Sequence, residues 1–260
     1  MEETHGTRIE TAFTKQASTF EQPDLNLAFT SGLPWLLGLA DAKQFDRVLD
    51  VAGGTGLVAR ALAPSVENVT VLDATDAMLT GGRAGAEADG LVNVEFVRGD
   101  AASLPFADGS FSLTITRFSL HHFVDPAPML DEIVRVTAAG GRIVVKDVVS
   151  ARNPEVAART NHVERLRDDS HVRMPVEGMV RTWLEERGAQ VEQVARKTID
   201  RPLEPWLRQS VTAEEPAEAV RTLLRAEIEG GEPTGMRPHV EDGTLWFHQT
   251  WETTVGSLPR

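Results

Sequence analysis

The 260-residue chain contains no cysteine. That absence excludes disulfides, thiolate metal ligands and a cysteine nucleophile, and leaves histidine, carboxylates or a cofactor to carry any chemistry. The chain also lacks a Lys/Arg-flanked apolar run near its start and any stretch of about 18 apolar residues. Neither a signal peptide nor a membrane span is therefore expected, and the cytoplasm is the expected location. Excess positive charge is missing too: 26 Lys and Arg stand against 39 Asp and Glu, a formal charge of −13. Such a balance argues against a nucleic-acid backbone as the main partner and chiefly favours solubility. There is no internal repeat and no low-complexity tract. No H-x-x-x-H or H-E-x-x-H spacing occurs, and adjacent His121-His122 is a poor chelating geometry, so no required metal is expected.

What is present reads as an ordinary globular protein, 41% apolar and 25% charged, with enough chain for one α/β domain and a helical cap. Short β-branched runs alternate with amphipathic stretches from Arg47 past Ser150, which predicts a parallel sheet with helices on both faces. The expected strands are 47–51, 69–73, 94–98, 113–117 and 142–148, each separated by enough chain for a helical crossover. Asp125 before Pro126 reads as the start of a helix, and Gly140-Gly141 as its end. Residues 8–40 form two expected helical stretches with Phe13, Phe20, Leu25, Leu27, Trp35 and Leu36 on their apolar faces. After Ser150 come a polar, His- and Arg-rich helix to about 175, an amphipathic helix over 176–187 ended by Gly188, and an acidic helical excursion over 214–229. Strands near 191–202 and 245–255 add a terminal antiparallel pair. Trp206, Trp246, Phe247 and Trp251 in this tail are expected in core packing or a homodimer contact.

The strongest local signal is Val48-Leu49-Asp50-Val51-Ala52-Gly53-Gly54-Thr55-Gly56, a buried strand running into a glycine turn and a helix. Glycine there lets the backbone approach a ligand closely. Gly54-Thr55-Gly56-Leu57-Val58-Ala59 also satisfies the dinucleotide pattern, and Asp73 closes the next strand where a carboxylate meets ribose hydroxyls, so this turn alone admits either nucleotide-type cofactor.

Asp50 before the glycines, Asp73, Asp76-Ala77-Met78-Leu79 and Gly99-Asp100-Ala101 together resemble class I methyltransferases, and most closely the UbiE-like group, over roughly residues 13–123. Ala52 stands where other families carry the first glycine. The resemblance implies a Rossmann-like fold with a seven-stranded, mostly parallel sheet and an antiparallel terminal strand. It also implies S-adenosyl-L-methionine (AdoMet) as cofactor, with S-adenosyl-L-homocysteine (AdoHcy) as product. In that reading the turn Ala52, Gly53, Gly54 and Gly56 takes the methionine moiety, with Asp50 toward its amine. Asp73 with Ala74 takes the ribose, and Asp100 takes the adenine amino group. Met78 and Ala101 flank the purine, and Gly99 and Arg117 complete the set. The single domain divides into an N-terminal helical lid (1–45), an AdoMet-binding core (46–150), an acceptor-side cap and helix (151–190) and C-terminal strands (191–260).

Ligands of open α/β sheets sit beyond the carboxyl ends of the strands, where His121-His122 follow the fourth strand and Asp147 ends the fifth. An imidazole can take the proton of an acceptor hydroxyl while a carboxylate fixes its tautomer, and His122 is the preferred base over His121. The same constellation resembles O-methyltransferases acting on sugars of natural products. The acceptor is expected against the polar segment 161–173, through His171 and Arg173, and through His162 and Arg165, which share a helix face, as Glu164 and Asp168 share another. Segment 13–20, ending in Phe20, resembles the lid helix of the family. The expected function is O-methylation of a hydroxylated metabolite. C-methylation of an electron-rich, quinone-like ring and a non-methylating AdoMet-binding activity such as a cyclisation are the alternatives.

Overall fold

After Arg47, every residue of β1 (Arg47–Val51) is buried, as a strand covered on both faces requires. β2 (Asn68–Asp73) and β4 (Phe111–Arg117) flank it in parallel. β3 (Val94–Arg98) pairs in parallel with β2 at the edge, and β5 (Thr137–Val148) with β4. β6 (Gln190–Pro202) and β8 (Thr244–Ser257) complete the sheet, and β8 runs antiparallel to both β5 and β6. The resulting order is β3-β2-β1-β4-β5-β8-β6. These are the seven expected strands. An eighth, β7 (His239–Glu241), folds back on β8 through Asp242-Gly243, both in the left-handed region, as a tight type I′ hairpin demands. The coordinates come from a computed structural model and describe residues 5–22, 25 and 30–260; Leu27 lies outside them.

Helices cover the sheet on both sides. Leu49, Val51, Leu72, Ile143 and Val145 pack beneath α5 (Ala127–Val136) and α7 (Met179–Glu186). Val48, Val69, Val71, Leu113 and Val144 pack against α2 (Leu33–Ala40), α3 (Leu57–Leu62) and α4 (Asp76–Ala88). A third apolar cluster stands beyond the sheet, where α6 (Pro154–Arg167), α8 (Leu203–Gln209) and α9 (Glu214–Ile228) close around Trp206 and Phe247. Trp206, Phe247 and Trp251 are thus core residues. α1 (His5–Gln16) precedes all of these. No described helix is long and apolar enough to cross a membrane.

Three expected helix boundaries move. Asp125 accepts the N–H of Ala127 at 2.9 Å at the start of α5. Gly140-Gly141 do not end that helix, because α5 stops at Val136 and Thr137 passes straight into β5. Gly140 instead bends the beginning of the strand at φ +71°, and a Cβ on Gly141 would meet the Ala138 carbonyl at 2.7 Å. The polar helix ends at Arg167 rather than near 175, and Gly178 at φ +82° delays the next helix to Met179.

Candidate active site

β2 and β3 lie to one side of β1, while β4 and β5 lie to the other. This reversal of strand order opens a crevice at the carboxyl ends of β1 and β4, where ligands of such sheets bind. A cavity of about 710 Å³ occupies it, lined at one end by the turns after β1, β2 and β3 and at the other by residues after β4 and from the cap.

At the first end Asp50, Ala52, Gly53, Gly54, Asp73, Ala74, Gly99, Asp100, Ala101 and Arg117 all line the cavity. Asp50 is buried, and neither of its carboxyl oxygens has a hydrogen-bond partner among the described residues. Burial pushes its carboxyl up to about 7, against the pull of the Arg117 guanidinium. A Cβ on Gly53 would stand 2.7 Å from Asp50 Cγ and 2.9 Å from Val71 Cγ1, so glycine is required there. Gly54, at φ +60°, donates its N–H to Asp73 Oδ2 at 2.8 Å, and Thr75 N–H reaches Asp73 Oδ1 at 2.9 Å. Ala52 itself takes φ +52°, a conformation that costs an alanine what glycine would adopt freely. Asp100 accepts the Ala102 N–H at 2.9 Å.

Two residues expected here are elsewhere. Met78 is fully buried, with Leu79 and Gly82 buried on the same helix, and it does not border the cavity. Gly56 precedes α3 at φ +70°, where a Cβ would stand 3.0 Å from Val71 and 3.1 Å from Phe96. Its role is to let α3 close on the sheet, and it is absent from the lining.

At the second end the loop Phe118–Ser119 leads into a short turn carrying both histidines. His121 Nδ1 lies 2.6 Å from Asp147 Oδ1. Asp147 is fully buried and also accepts the Val148 N–H at 2.7 Å. Burial opposes charge on His121, but Asp147, with Glu164 and Asp168 nearby, outweighs it and raises the ring's pKa above the ordinary histidine value. His122 is different. Its Nδ1 faces the Ser170 carbonyl at 3.3 Å and hydroxyl at 3.0 Å, Phe13 meets it edge-on, and burial with the adjacent His121 pushes its pKa down to about 3. The carboxylate is therefore held by His121 and not by His122, which reverses the expected preference between the two rings.

The cap also turns the other way from expectation. Glu164 and Asp168, not His162 and Arg165, face inward, and both line the cavity. His162, Arg165 and Arg173 are exposed, and none of them borders the cavity. Arg165 bonds the Val172 carbonyl at 3.2 Å, while the backbone N–H groups of Val172 and Arg173 donate to the His121 carbonyl at 2.9 and 3.2 Å. His171 is buried behind the site, its Nε2 against Asn161 Oδ1 at 2.8 Å, and burial with its two histidine neighbours drives its pKa down to about 2. Arg165, His171 and the backbone of Val172 and Arg173 thus brace the turn that carries His121.

The polar wall that faces His121 comprises Glu164, Arg167, Asp168, Arg201, Gln209 and Gln249. Gln249 donates to Glu164 at 2.9 Å, and Arg201 reaches Gln249 Oε1 at 3.1 Å and Gln209 Oε1 at 3.2 Å. Burial lowers the Arg201 pKa to about 9 and raises that of Glu164. The shared face of Glu164 and Asp168 was visible in sequence, but apolar residues are spread so evenly around α6 that its inward side was not. Over this end lies α1: His5 Nε2 meets the His122 carbonyl at 2.6 Å, Gln16 donates to Asp168 at 2.9 Å, and Phe13 and Phe20 border the cavity. Phe20 lies against Gly54.

The family profile described as "Methyltransferase domain" matches residues 49–145. The uncharacterized methyltransferase YcgJ of Bacillus subtilis is 35% identical over 164 residues, covering 63% of this chain and 64% of that protein, slightly under two thirds of its length. The uncharacterized protein YafE of Escherichia coli is 35% identical over 159 residues, covering 61% of this chain and 77% of YafE. The ubiquinone/menaquinone biosynthesis C-methyltransferase UbiE of Dinoroseobacter shibae is 37% identical over 155 residues, covering 56% of this chain and 61% of that protein. A solved structure from Bacillus halodurans, reported as a candidate methyltransferase, superimposes with a TM-score of 0.81 and 31% identity over 88% of this chain and 100% of its own.

Proposed function

Because this chain belongs to the UbiE-like group of class I, AdoMet-dependent methyltransferases, we propose that it methylates a hydroxylated small molecule, with His121 as the base and Asp147 as its partner. The residues present fit the cofactor. Asp50 carries a buried carboxyl without a hydrogen-bond partner among the described residues, which an ammonium would satisfy, and Gly53 leaves the space beside it that a Cβ would fill. Asp73 would hold the ribose and Asp100 the adenine amino group, with Ala101 beside the base. Bound AdoMet supplies an electrophilic methyl group on a sulfonium.

The remaining work falls to the chain. Asp147 can only accept, so His121 carries its proton on Nδ1 and keeps the Nε2 lone pair for the acceptor. His121 removes the acceptor's hydroxyl proton as the oxygen attacks, and Asp147 stabilises the imidazolium so formed. The cap wall of Glu164, Arg201 and Gln249 orients a polar acceptor, and positioning supplies most of the acceleration. α1 acts as a lid that keeps water from the reacting atoms, since it joins His122 and Asp168 across the mouth of the cavity.

The contact between His121 and Asp147 carries this reading. Similarity to UbiE favours a second one, C-methylation of an electron-rich ring, in which the same base ionises a ring hydroxyl and makes the adjacent carbon nucleophilic. Incubation with methyl-labelled AdoMet and a panel of phenols, quinols and sugar-bearing metabolites, read by mass spectrometry and NMR, separates an O-methyl from a ring-methyl product. His121→Gln is expected to lower turnover about 10²-fold while AdoMet binding persists. Unchanged turnover removes His121 as the base.

A further inference from the structure

β6, β8 and β7 lie side by side and present one candidate ligating residue each on a common face. Asp200 on β6 is the direct cross-strand partner of His248 on β8. His239 on β7 pairs with Trp246, two residues before His248 and on the same face. Both imidazoles turn toward the carboxylate: His239 Nε2 lies 3.4 Å from Asp200 Oδ2, and His248 Nδ1 lies 3.6 Å from Asp200 Oδ1. The two rings stack with centroids 5.1 Å apart, and one ligand atom from each of the three residues lies within 4.8 Å of the others. His248 Nδ1 is buried and has no hydrogen-bond partner among the described residues.

We propose that Asp200, His239 and His248 form a binding site for a divalent transition-metal ion of the zinc class, separate from the methyl-transfer site. The separations are too long for good hydrogen bonds, but tetrahedral ligands about 2.0–2.1 Å from zinc stand roughly 3.3 Å from one another. Two imidazoles with one carboxylate select Zn2+, Co2+ or Ni2+ over Mg2+ and Ca2+, which prefer all-oxygen sites. The three residues are half-buried to exposed, so water completes the coordination. The ion ties the β7–β8 hairpin to β6. It does so on the reverse face of the strands whose next residues, Arg201 and Gln249, form the cap wall of the cavity.

The test uses untagged, full-length protein stripped with chelator and titrated with Co2+ as an optical probe, then with Zn2+ by calorimetry. One equivalent of Co2+ with the absorption of a four-coordinate ion is expected, displaced by Zn2+ and not by Mg2+ or Ca2+. Zn2+ at a hundredfold excess over Kd should raise the melting temperature by about 5 °C. His239→Ala and Asp200→Asn should each weaken binding tenfold or more with unchanged methyl transfer, and His239→Ala alters only a short, half-exposed strand. Because the buried histidines beside Asp147 could also attract cobalt, the signal must survive in His121→Gln. Absence of stoichiometric binding overturns the proposal, as does binding lost in His121→Gln but kept in His239→Ala and Asp200→Asn.

Discussion

Asp50 offers the sharpest test of the cofactor end of the cavity. Burial pushes its carboxyl up to about 7 and neither oxygen has a partner among the described residues, so an ammonium-bearing ligand must bind the ionised form. The protonated form dominates at lower pH, and the apparent affinity for AdoHcy therefore falls as pH drops through 7. At about pH 6 the protonated and ionised forms stand near 10:1, and at about pH 8 near 1:10, so the apparent Kd should differ roughly tenfold across that range, or about 1.4 kcal/mol. Binding at about pH 6 should also release about 0.9 proton, because Asp50 gives up its own as the ammonium arrives. Calorimetry in buffers of different ionisation enthalpy measures both quantities. Asp50→Asn keeps the shape and removes the titration. The variant should bind more weakly at the alkaline end and lose the part of the pH slope that belongs to Asp50. The ligand's own amine titrates equally in both proteins, so the difference between them isolates this carboxyl. A wild-type protein with no slope, or an Asn variant with the same slope, refutes the assignment of Asp50 to the amine.

The His121 pair makes a prediction of its own. Asp147 raises the His121 pKa, and a base acts only when unprotonated, so turnover should rise with pH through a value above that of an ordinary histidine. Asp147→Asn should shift this limb to lower pH, since burial is then opposed only by the more distant Glu164 and Asp168, and cut turnover tenfold or more; an unmoved limb in the pH–rate profile contradicts the pairing. Gly53→Ala forces a Cβ to 2.7 Å from Asp50 and 2.9 Å from Val71, and should cost about 1–3 kcal/mol by thermal melting while weakening AdoHcy more than tenfold. Phe247→Ala empties the centre of the cap cluster, where the Phe247 ring meets that of Trp206 at a tilt with centroids 4.6 Å apart, and should cost about 3–5 kcal/mol in denaturant unfolding.

Much of the fold could be read along the chain because its signals are local. A buried β-branched run that ends in a glycine turn, followed by Asp73 and Asp100 at the next strand ends, marks a nucleotide-type site by local spacing, and the family resemblance of those residues points it to AdoMet. The cofactor end of the cavity was legible for that reason, apart from Met78 and Gly56, whose positions depend on which side of a helix meets the sheet. The Asp242-Gly243 hairpin was equally local but adjoins so short a strand that periodicity does not register it. The acceptor end is another matter. Whether His121 or His122 holds Asp147 depends on how one turn after β4 meets β5, and adjacent residues are indistinguishable until that contact forms. Likewise Glu164 and Asp168 face inward, while His162 and Arg165 face out, because α6 packs its Val163 side against α8 and α9. Arg201 and Gln249 join them only because β6 and β8 pair across 48 residues of chain. Spacing thus placed the strands along the chain, the glycine turn and the acids around it. The choice of base, the polar wall and the gathering of Asp200, His239 and His248 were decided by tertiary contacts between distant segments, since no local pattern encodes which faces of separate elements will meet.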